Sequence, residues 1–327
     1  MIPIYDLHCD LLYYLAEKEG RGVYDPISRC SYPDLKKGGV QMQTLAIFAE
    51  TGEGSVQLGM RQVDLFETIL KKHPLEFAPL KNPVPGAVQV IAALEGGSCF
   101  AKEEEPLSKS LERLTSYIDR LAPLFYISLT WNTENRFGGG NESRVGLKED
   151  GKRLLEFLDQ KRIAVDLSHT SDALAYDIIN WIEKKSLAIP LIASHSNFRP
   201  LSDWPRNLPE DLACEIIRRK GLIGLNFVGP FVHNTDPTVL YRHVEYALAL
   251  GGENSLCFGA DFFCDADDIG RLRKKYGRDS LYYPGLDNSS CYPKVLMHMQ
   301  EDLKLPSKII EQIAFGNARQ FLDLQIL

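Results

Sequence analysis

The chain has 327 residues, 44% of them hydrophobic and 25% charged, with a formal net charge of -7. That length excludes a stapled mini-protein and suits one α/β barrel with insertions, which runs from roughly 200 to over 400 residues. Lys and Arg are scattered without a basic stripe, which argues against nucleic acid and against an anionic membrane surface as partners.

Short apolar runs rich in β-branched residues begin at residues 4–10 and recur at 40–48, 88–95, 125–131, 163–169, 191–195, 222–227 and 256–261. Helix-period segments at 62–72, 149–161, 170–185 and 211–220 lie between them. Strand alternating with helix implies parallel strands and right-handed crossovers. Eight such units predict a closed (β/α)8 TIM barrel, a single catalytic domain over residues 1–327. An open doubly wound sheet would want a Gly-rich phosphate turn after its first strand. Here Gly38-Gly39 precedes the second strand, and Gly138-Gly139-Gly140 follows the fourth without a P-loop lysine. The Gly-rich stretch 132–146 reads as a mobile loop over the site, and the charged stretch 265–278 as a solvated excursion.

The informative feature is where polar residues fall. His8 and Asp10 end the first strand, Glu95 the third, His169 the fifth, His195 the sixth and Asp261 the eighth. Trp131-Asn132 ends the fourth and Asn226 the seventh, which makes Trp131 and Asn226 substrate-binding candidates. In such barrels the C-terminal strand ends line the active site, and an acid or imidazole buried there needs a reason. Alternation with period two places Asp6, His8 and Asp10 on one inward face. The same alternation aligns Ile91, Ala93 and Glu95; Val165, Leu167 and His169; Leu191, Ala193 and His195; Ile127, Leu129 and Trp131; and Cys257, Gly259 and Asp261. On this reading Trp131 is either a barrel plug or a pocket wall.

Imidazole with carboxylate suits zinc, and also cobalt, manganese or iron. His8, Asp10, Glu95, His169 and His195 are too many donors for one four-coordinate catalytic zinc. Two divalent ions sharing Glu95 would use them all, and such a pair about 3.5 Å apart can hold a hydroxide and polarise a carbonyl. Asp6, deeper in the strand, is a candidate to orient a ligand. His73, His233, His243 and His298 lie away from strand ends and read as surface or helix residues.

At these residues the sequence resembles the membrane dipeptidase (renal dipeptidase) family of zinc peptidases, over essentially the whole chain. The likeness rests on Asp6-Leu7-His8-Cys9-Asp10, Leu94-Glu95-Gly96, Asp166-Leu167-Ser168-His169 and His195-Ser196-Asn197 through Pro205-Arg206-Asn207-Leu208-Pro209. Gly259-Ala260-Asp261-Phe262, Gly285-Leu286-Asp287, Tyr292-Pro293, Gly316-Asn317 and Arg319 complete it. The resemblance implies a dipeptidase of the soluble bacterial type, whose substrate is a dipeptide with a free carboxylate, cleaved by a hydroxide bridging two zinc ions. It implies that Arg206 binds that carboxylate, that Asp261 serves at the reacting centre, and that the chain forms a homodimer. Two positions depart from the family: Trp131 stands where mammalian members carry His, and Val228 where a Tyr is expected near the substrate carboxylate. A hydrolase of another small amide or lactone would keep the five ligands with less use for Arg206, and a non-catalytic metal-binding protein would have no need of Asp261.

Seven Cys at irregular spacings, none in a C-x-x-C pair, read as small buried hydrophobes in a reducing compartment. No signal-like segment begins at Met1-Ile2-Pro3 and no run of about twenty apolar residues occurs, so the expected location is the cytoplasm.

Overall fold

A computed structural model describes residues 2–327; Met1 and the side chains of Asp268 and Arg271, within the charged 265–278 stretch, lie outside it. The strands are β1 (Ile4–Cys9), β2 (Val40–Phe48), β3 (Phe77–Pro79), β4 (Val88–Glu95), β5 (Leu124–Ser128), β6 (Ala164–Asp166), β7 (Leu191–Ile192), β8 (Ile223–Leu225) and β9 (Leu256–Phe258). They pair in the order β7-β6-β5-β4-β2-β1-β9-β8, with β3 added beside β4. Every pairing is parallel. A parallel bridge between Ala193 and Ile223 joins the two ends of the row. There the Ala193 N–H donates to Leu222 O and the Gly224 N–H to Ala193 O, each at 2.8 Å. The fold is therefore a nearly closed eight-stranded (β/α)8 barrel. β3, three residues long, is too short to show an alternation and escaped the sequence reading.

Two apolar layers hold the barrel. Tyr5, Leu7, Ile91, Ala93, Phe125, Ala164, Ile192 and Cys257 pack with Phe321, Leu322 and Ile326 of the C-terminal segment, which plugs the end of the barrel away from the ligands. The larger layer, between strands and helices, holds Ile127, Leu129, Val165, Leu167, Leu191 and Ala193 together with helix residues such as Leu174 and Ile178. This corrects the alternation argument for three strands. In β6 and β7 the inward residues are Ala164 and Ile192, while Val165, Leu167, Leu191 and Ala193 face the helices. Ile127 and Leu129 likewise face outward. β6 and β7 are so short that His169 and His195 lie beyond their last ladder bonds, where period-two counting no longer applies.

At the mouth the backbones of neighbouring strands approach closely. A side chain on Gly224 or on Gly259 would come within 1.9 Å of the Ser194 carbonyl oxygen, so both positions require glycine.

The two stretches read as loops are built structures. Within 132–146, Asn135 Nδ2 donates to Leu129 O (2.9 Å) and its Oδ1 accepts from Phe137 N (2.8 Å), and Phe137 is buried. In the 265–278 stretch, Asp265 is buried and accepts from Arg29, Ser280 and Leu281 N, and Leu272 is also buried. Most of this stretch is exposed, as expected of a solvated excursion, but its helix Ile269–Tyr276 also brings Leu272, Lys275 and Tyr276 to the cavity mouth, so it forms part of the site wall. Among the described residues no helix is long and apolar enough to cross a membrane. Five of the seven Cys are buried and all are free thiols.

Candidate metal centre

The six strand-end groups meet in one buried cluster, each with less than one-tenth of its surface exposed. Glu95, the last residue of β4, lies between two sets of donors. Its Oε2 faces His8 Nε2 at 3.4 Å, and its Oε1 faces His169 Nε2 at 2.8 Å and His195 Nε2 at 3.5 Å. His8 Nε2 also has Asp261 Oδ1 at 3.7 Å and Asp10 Oδ1 at 4.0 Å. Donor atoms within 4.8 Å of one another form two overlapping groups, His8 with Glu95 and His195, and His8 with Asp10 and Asp261. Asp261 thus stands closer to the donors than a purely external base would.

His8 reaches this position through an irregularity. The β1–β2 register shifts between Asp6 and Cys9, so the strand does not simply alternate there. Leu7 enters the barrel cluster. Asp6 turns to accept from the His8 N–H (3.1 Å), the Ala260 N–H (3.0 Å) and the Tyr292 hydroxyl (2.5 Å). Asp6 therefore does not share a face with His8 and Asp10. It steadies the centre through backbone, by fixing the amides of His8 and of Ala260, the residue before Asp261.

All three imidazoles are locked by their Nδ1 atoms. His8 Nδ1 lies 2.7 Å from the Tyr126 hydroxyl, whose own hydrogen goes to Leu7 O. His169 Nδ1 lies 2.8 Å from Asn132 Oδ1. His195 Nδ1 lies 2.6 Å from Ser194 Oγ, which donates in turn to Asp166 Oδ2 at 2.6 Å. In each case the oxygen accepts from Nδ1–H, so the Nε2 lone pair is the one aimed at the cluster. Sequence reasoning did not single out Tyr126, Ser194 or Asp166. The Asp-Leu-Ser-His run was the available signal: Asp166 Oδ1 accepts the Ser168 and Ser194 N–H groups at 3.0 and 2.8 Å and so ties β6 to the β7 end. His169 and Asp261 adopt φ of +66° and +63°, a left-handed conformation that costs a non-glycine residue about 1–3 kcal/mol and is typical of functional positions.

The cluster is electrostatically incomplete as protein alone. Burial pushes the Glu95 carboxyl up to about 8, with Asp166 adding and Arg206 opposing. Burial, with the Glu95 and Asp261 charges, holds Asp10 well above the carboxylate range. Burial raises Asp261 to about 6 against the pull of His8 and Arg206. His169 and His195 are pushed well below the usual imidazole range, by burial first and then by the nearby Arg206 and His8 charges. Neutral imidazoles beside carboxylates are the donor state a divalent cation takes. His8 Nε2 and Asp10 Oδ1 are buried without a hydrogen-bond partner. These orphaned donors and the imidazole–carboxylate set fit a metal ion.

Two adjoining cavities open from the centre. The inner one, 180 Å³, is lined by Asp10, Glu95, His169 and Asp261 and walled by Trp131, Val228 and other apolar residues. The outer one, 690 Å³, contains Arg206; both share Asn132, Phe231, Lys275 and Tyr276. Trp131 is partly exposed and stands at the cavity, packed on Phe48 (ring centroids 4.9 Å) and near His169 (5.9 Å), not inside the barrel. Arg206 is buried, donating from Nη1 to Ser196 Oγ (2.7 Å) and from Nη2 to His195 O (3.0 Å), while its Nε has no partner. Asn226 is fully buried. Its Nδ2 donates to Asp261 Oδ2 (2.9 Å) and His195 O (3.1 Å), and its Oδ1 accepts the Val228 N–H (2.7 Å). It touches Asp261 rather than lining either cavity.

The mouth of this (β/α)8 barrel gathers three imidazoles and three carboxylates, a donor set compatible with a metal ion. The chain belongs to the membrane dipeptidase family (peptidase family M19), whose model matches residues 1–323. The uncharacterized protein of the pqqA 5'region of Klebsiella pneumoniae is 29% identical over 147 residues, 40% of this chain and 52% of that protein. The chain spans about half the length of the curated relatives it matches. A Rhodobacter sphaeroides metallo peptidase, solved with a phosphinate mimic of the dipeptide L-Ala-D-Ala, superposes with a TM-score of 0.83 at 18% identity, covering 100% of this chain and 99% of that one. The structure of dipeptidase AC, a metallo peptidase, superposes with a TM-score of 0.81 at 18% identity, covering 99% of each chain. At these identities the superpositions speak to the fold.

Proposed function

We propose that this chain is a metal-dependent dipeptidase, one catalytic domain that hydrolyses dipeptides bearing a free C-terminal carboxylate. The observation that carries the reading is Glu95, whose two oxygens face different donor sets in a buried centre open to a cavity. A structural site would have no reason to adjoin a cleft with a buried arginine. Family membership and the dipeptide mimic held by the Rhodobacter sphaeroides relative support the substrate class.

Two divalent ions, zinc as the family resemblance implies, would be held by His8, Asp10 and Glu95 and by Glu95, His169 and His195. Bound there, they would polarise the scissile carbonyl and make water nucleophilic at neutral pH. The remaining work belongs to the protein's own groups. Arg206 offers its free donors to the substrate carboxylate and sets the register of the peptide. Asp261 takes and passes a proton at Oδ1, while Asn226 holds Oδ2. Trp131 and Val228 wall the pocket and keep water out.

Elemental analysis of the fully loaded protein should give about two metals per chain. Glu95→Gln, which reduces the charge shared by both positions, should lower occupancy of both and the melting temperature together, because a ligand that binds only the folded state stabilises it by mass action. Unchanged metal content in that variant would remove the shared ligand.

A further inference from the structure

We infer that the inner cavity is the subsite for the substrate's N-terminal residue and selects a large, uncharged, apolar side chain, aromatic ones above all. The inference rests on the dipeptidase reading and deepens it. Around the barrel β2 and β7 stand four strands apart in either direction, so they face each other across the mouth. Arg206 lies in the segment after β7 and lines the outer cavity. Phe48 is the last residue of β2, paired in register with Glu95, and lines the inner cavity. A dipeptide with its carboxylate at Arg206 and its scissile carbonyl at the central cluster has one direction left for its first residue, toward Phe48.

The wall it meets is aromatic. Tyr13 packs edge-on against Phe48 (centroids 5.2 Å), and Phe48 packs on Trp131 (4.9 Å), which reaches His169 (5.9 Å). Phe231, Phe263 and Leu272 contribute further apolar surface to the same space. Offset and edge-on ring contacts make such a wall selective for another ring over an aliphatic chain of similar area. Asp10, Glu17, Glu50 and Asp267 line this cavity, Glu17 paired with Arg21 and Asp267 with Lys18 and Arg21; among the described lining residues Lys275 is the one cation, itself paired with Glu142 at 2.5 Å. An acidic side chain would meet an apolar wall whose one lining cation is already paired, and burial there disfavours it. The position where Trp131 replaces the family's His is therefore a wall of the side-chain subsite.

The test is kcat/KM of the metal-loaded protein for Phe-Ala, Gly-Ala and Asp-Ala, each with L- and D-Ala at the C-terminus. Phe-Ala should exceed Gly-Ala by roughly 10- to 100-fold, the range expected for burying one aromatic side chain, and Asp-Ala should fall below Gly-Ala. Tyr13→Ala and Trp131→Ala should each shrink the Phe/Gly ratio at least about threefold. Phe48→Leu, which keeps most of the volume while removing the ring, should shrink it with little change in melting temperature. Dipeptide turnover with Gly-Ala or Asp-Ala equal to Phe-Ala, or a ratio unmoved by all three variants, overturns the subsite and leaves the dipeptidase reading standing. No turnover of any dipeptide overturns the dipeptidase reading itself, and the subsite with it.

Discussion

Asp261→Asn should yield a folded, metal-replete protein whose turnover falls by about 10²–10⁴-fold, the usual loss when a positioned general base is removed. If Asp261 is that base, one of its oxygens would carry the proton. Oδ2 is engaged by Asn226 Nδ2 at 2.9 Å, leaving Oδ1 toward the centre, 3.7 Å from His8 Nε2. The backbone of Asp261 is fixed independently of its side chain: its N–H donates to His8 O (3.2 Å) and its carbonyl accepts the Tyr282 hydroxyl. Its φ of +63° is one that Asn tolerates well, so the substitution adds little strain. Burial raises the carboxyl to about 6, which places its proton exchange near neutrality before any cation is bound, and a cation lowers it again. Steady-state kinetics, metal content and a melting curve on the same preparation separate the roles. A slow variant that keeps its metals has lost a base. A variant that loses metal makes Asp261 a sixth ligand, the role its grouping with His8 and Asp10 allows.

Much of this centre was legible because the barrel concentrates function at one place, the C-terminal ends of its strands. A His or acid closing an otherwise apolar run is a visible anomaly, and His8, Asp10, Glu95, His169, His195 and Asp261 all announced themselves that way. The alternation given for their shared orientation holds for Glu95, in step with the inward Ile91 and Ala93, and fails for the strands that carry His8, His169 and His195. Alternation presumes an unbroken ladder, but β1 slips in register between Asp6 and Cys9, and β6 and β7 are three and two residues long. His169, His195 and Asp261 lie past the ends of their strands, His169 and Asp261 in left-handed backbone that no residue type advertises. The partners of the imidazoles were illegible for a different cause. Tyr126 looks like an ordinary strand residue, and its hydrogen bond to His8 exists only once the closed barrel brings β5 across from β1; Ser194 is His195's own neighbour, and what orients its hydroxyl is Asp166 of the adjacent β6. Asp166 was noted as part of a motif without its role, since two of its partners lie at Ser194, 28 residues away. The 265–278 stretch was half legible: its charged residues are mostly exposed as composition suggests, but composition gave no sign that Asp265 is consumed by Arg29 or that Leu272 and Tyr276 line the cavity.

Arg206→Ala should cost about 2–5 kcal/mol of transition-state stabilisation, roughly 30- to 5,000-fold in kcat/KM, as truncating one partner of a buried charge pair does. Arg206 is a buried cation whose hydrogen-bond partners are neutral, the Ser196 hydroxyl and the His195 carbonyl, and its Nε has none. Burial pulls its pKa down, and the Asp261, Asp166 and Glu95 charges oppose that pull from a distance. On the proposed function, a guanidinium kept buried on such terms would be completed by an anion arriving in the cleft, since its planar donors match a carboxylate. C-terminally amidated dipeptides should therefore lose a comparable factor on the wild-type protein, and should lose little more on Arg206→Ala, because each change removes the same interaction. That non-additivity is the informative quantity, since a merely structural arginine would lower the rate for free and amidated substrates alike. The Nη2 bond to the His195 carbonyl makes such damage conceivable, so metal content and melting temperature belong in the measurement. Free and amidated dipeptides hydrolysed equally well by the wild type would end the carboxylate assignment and make the chain a hydrolase of small amides on the same centre.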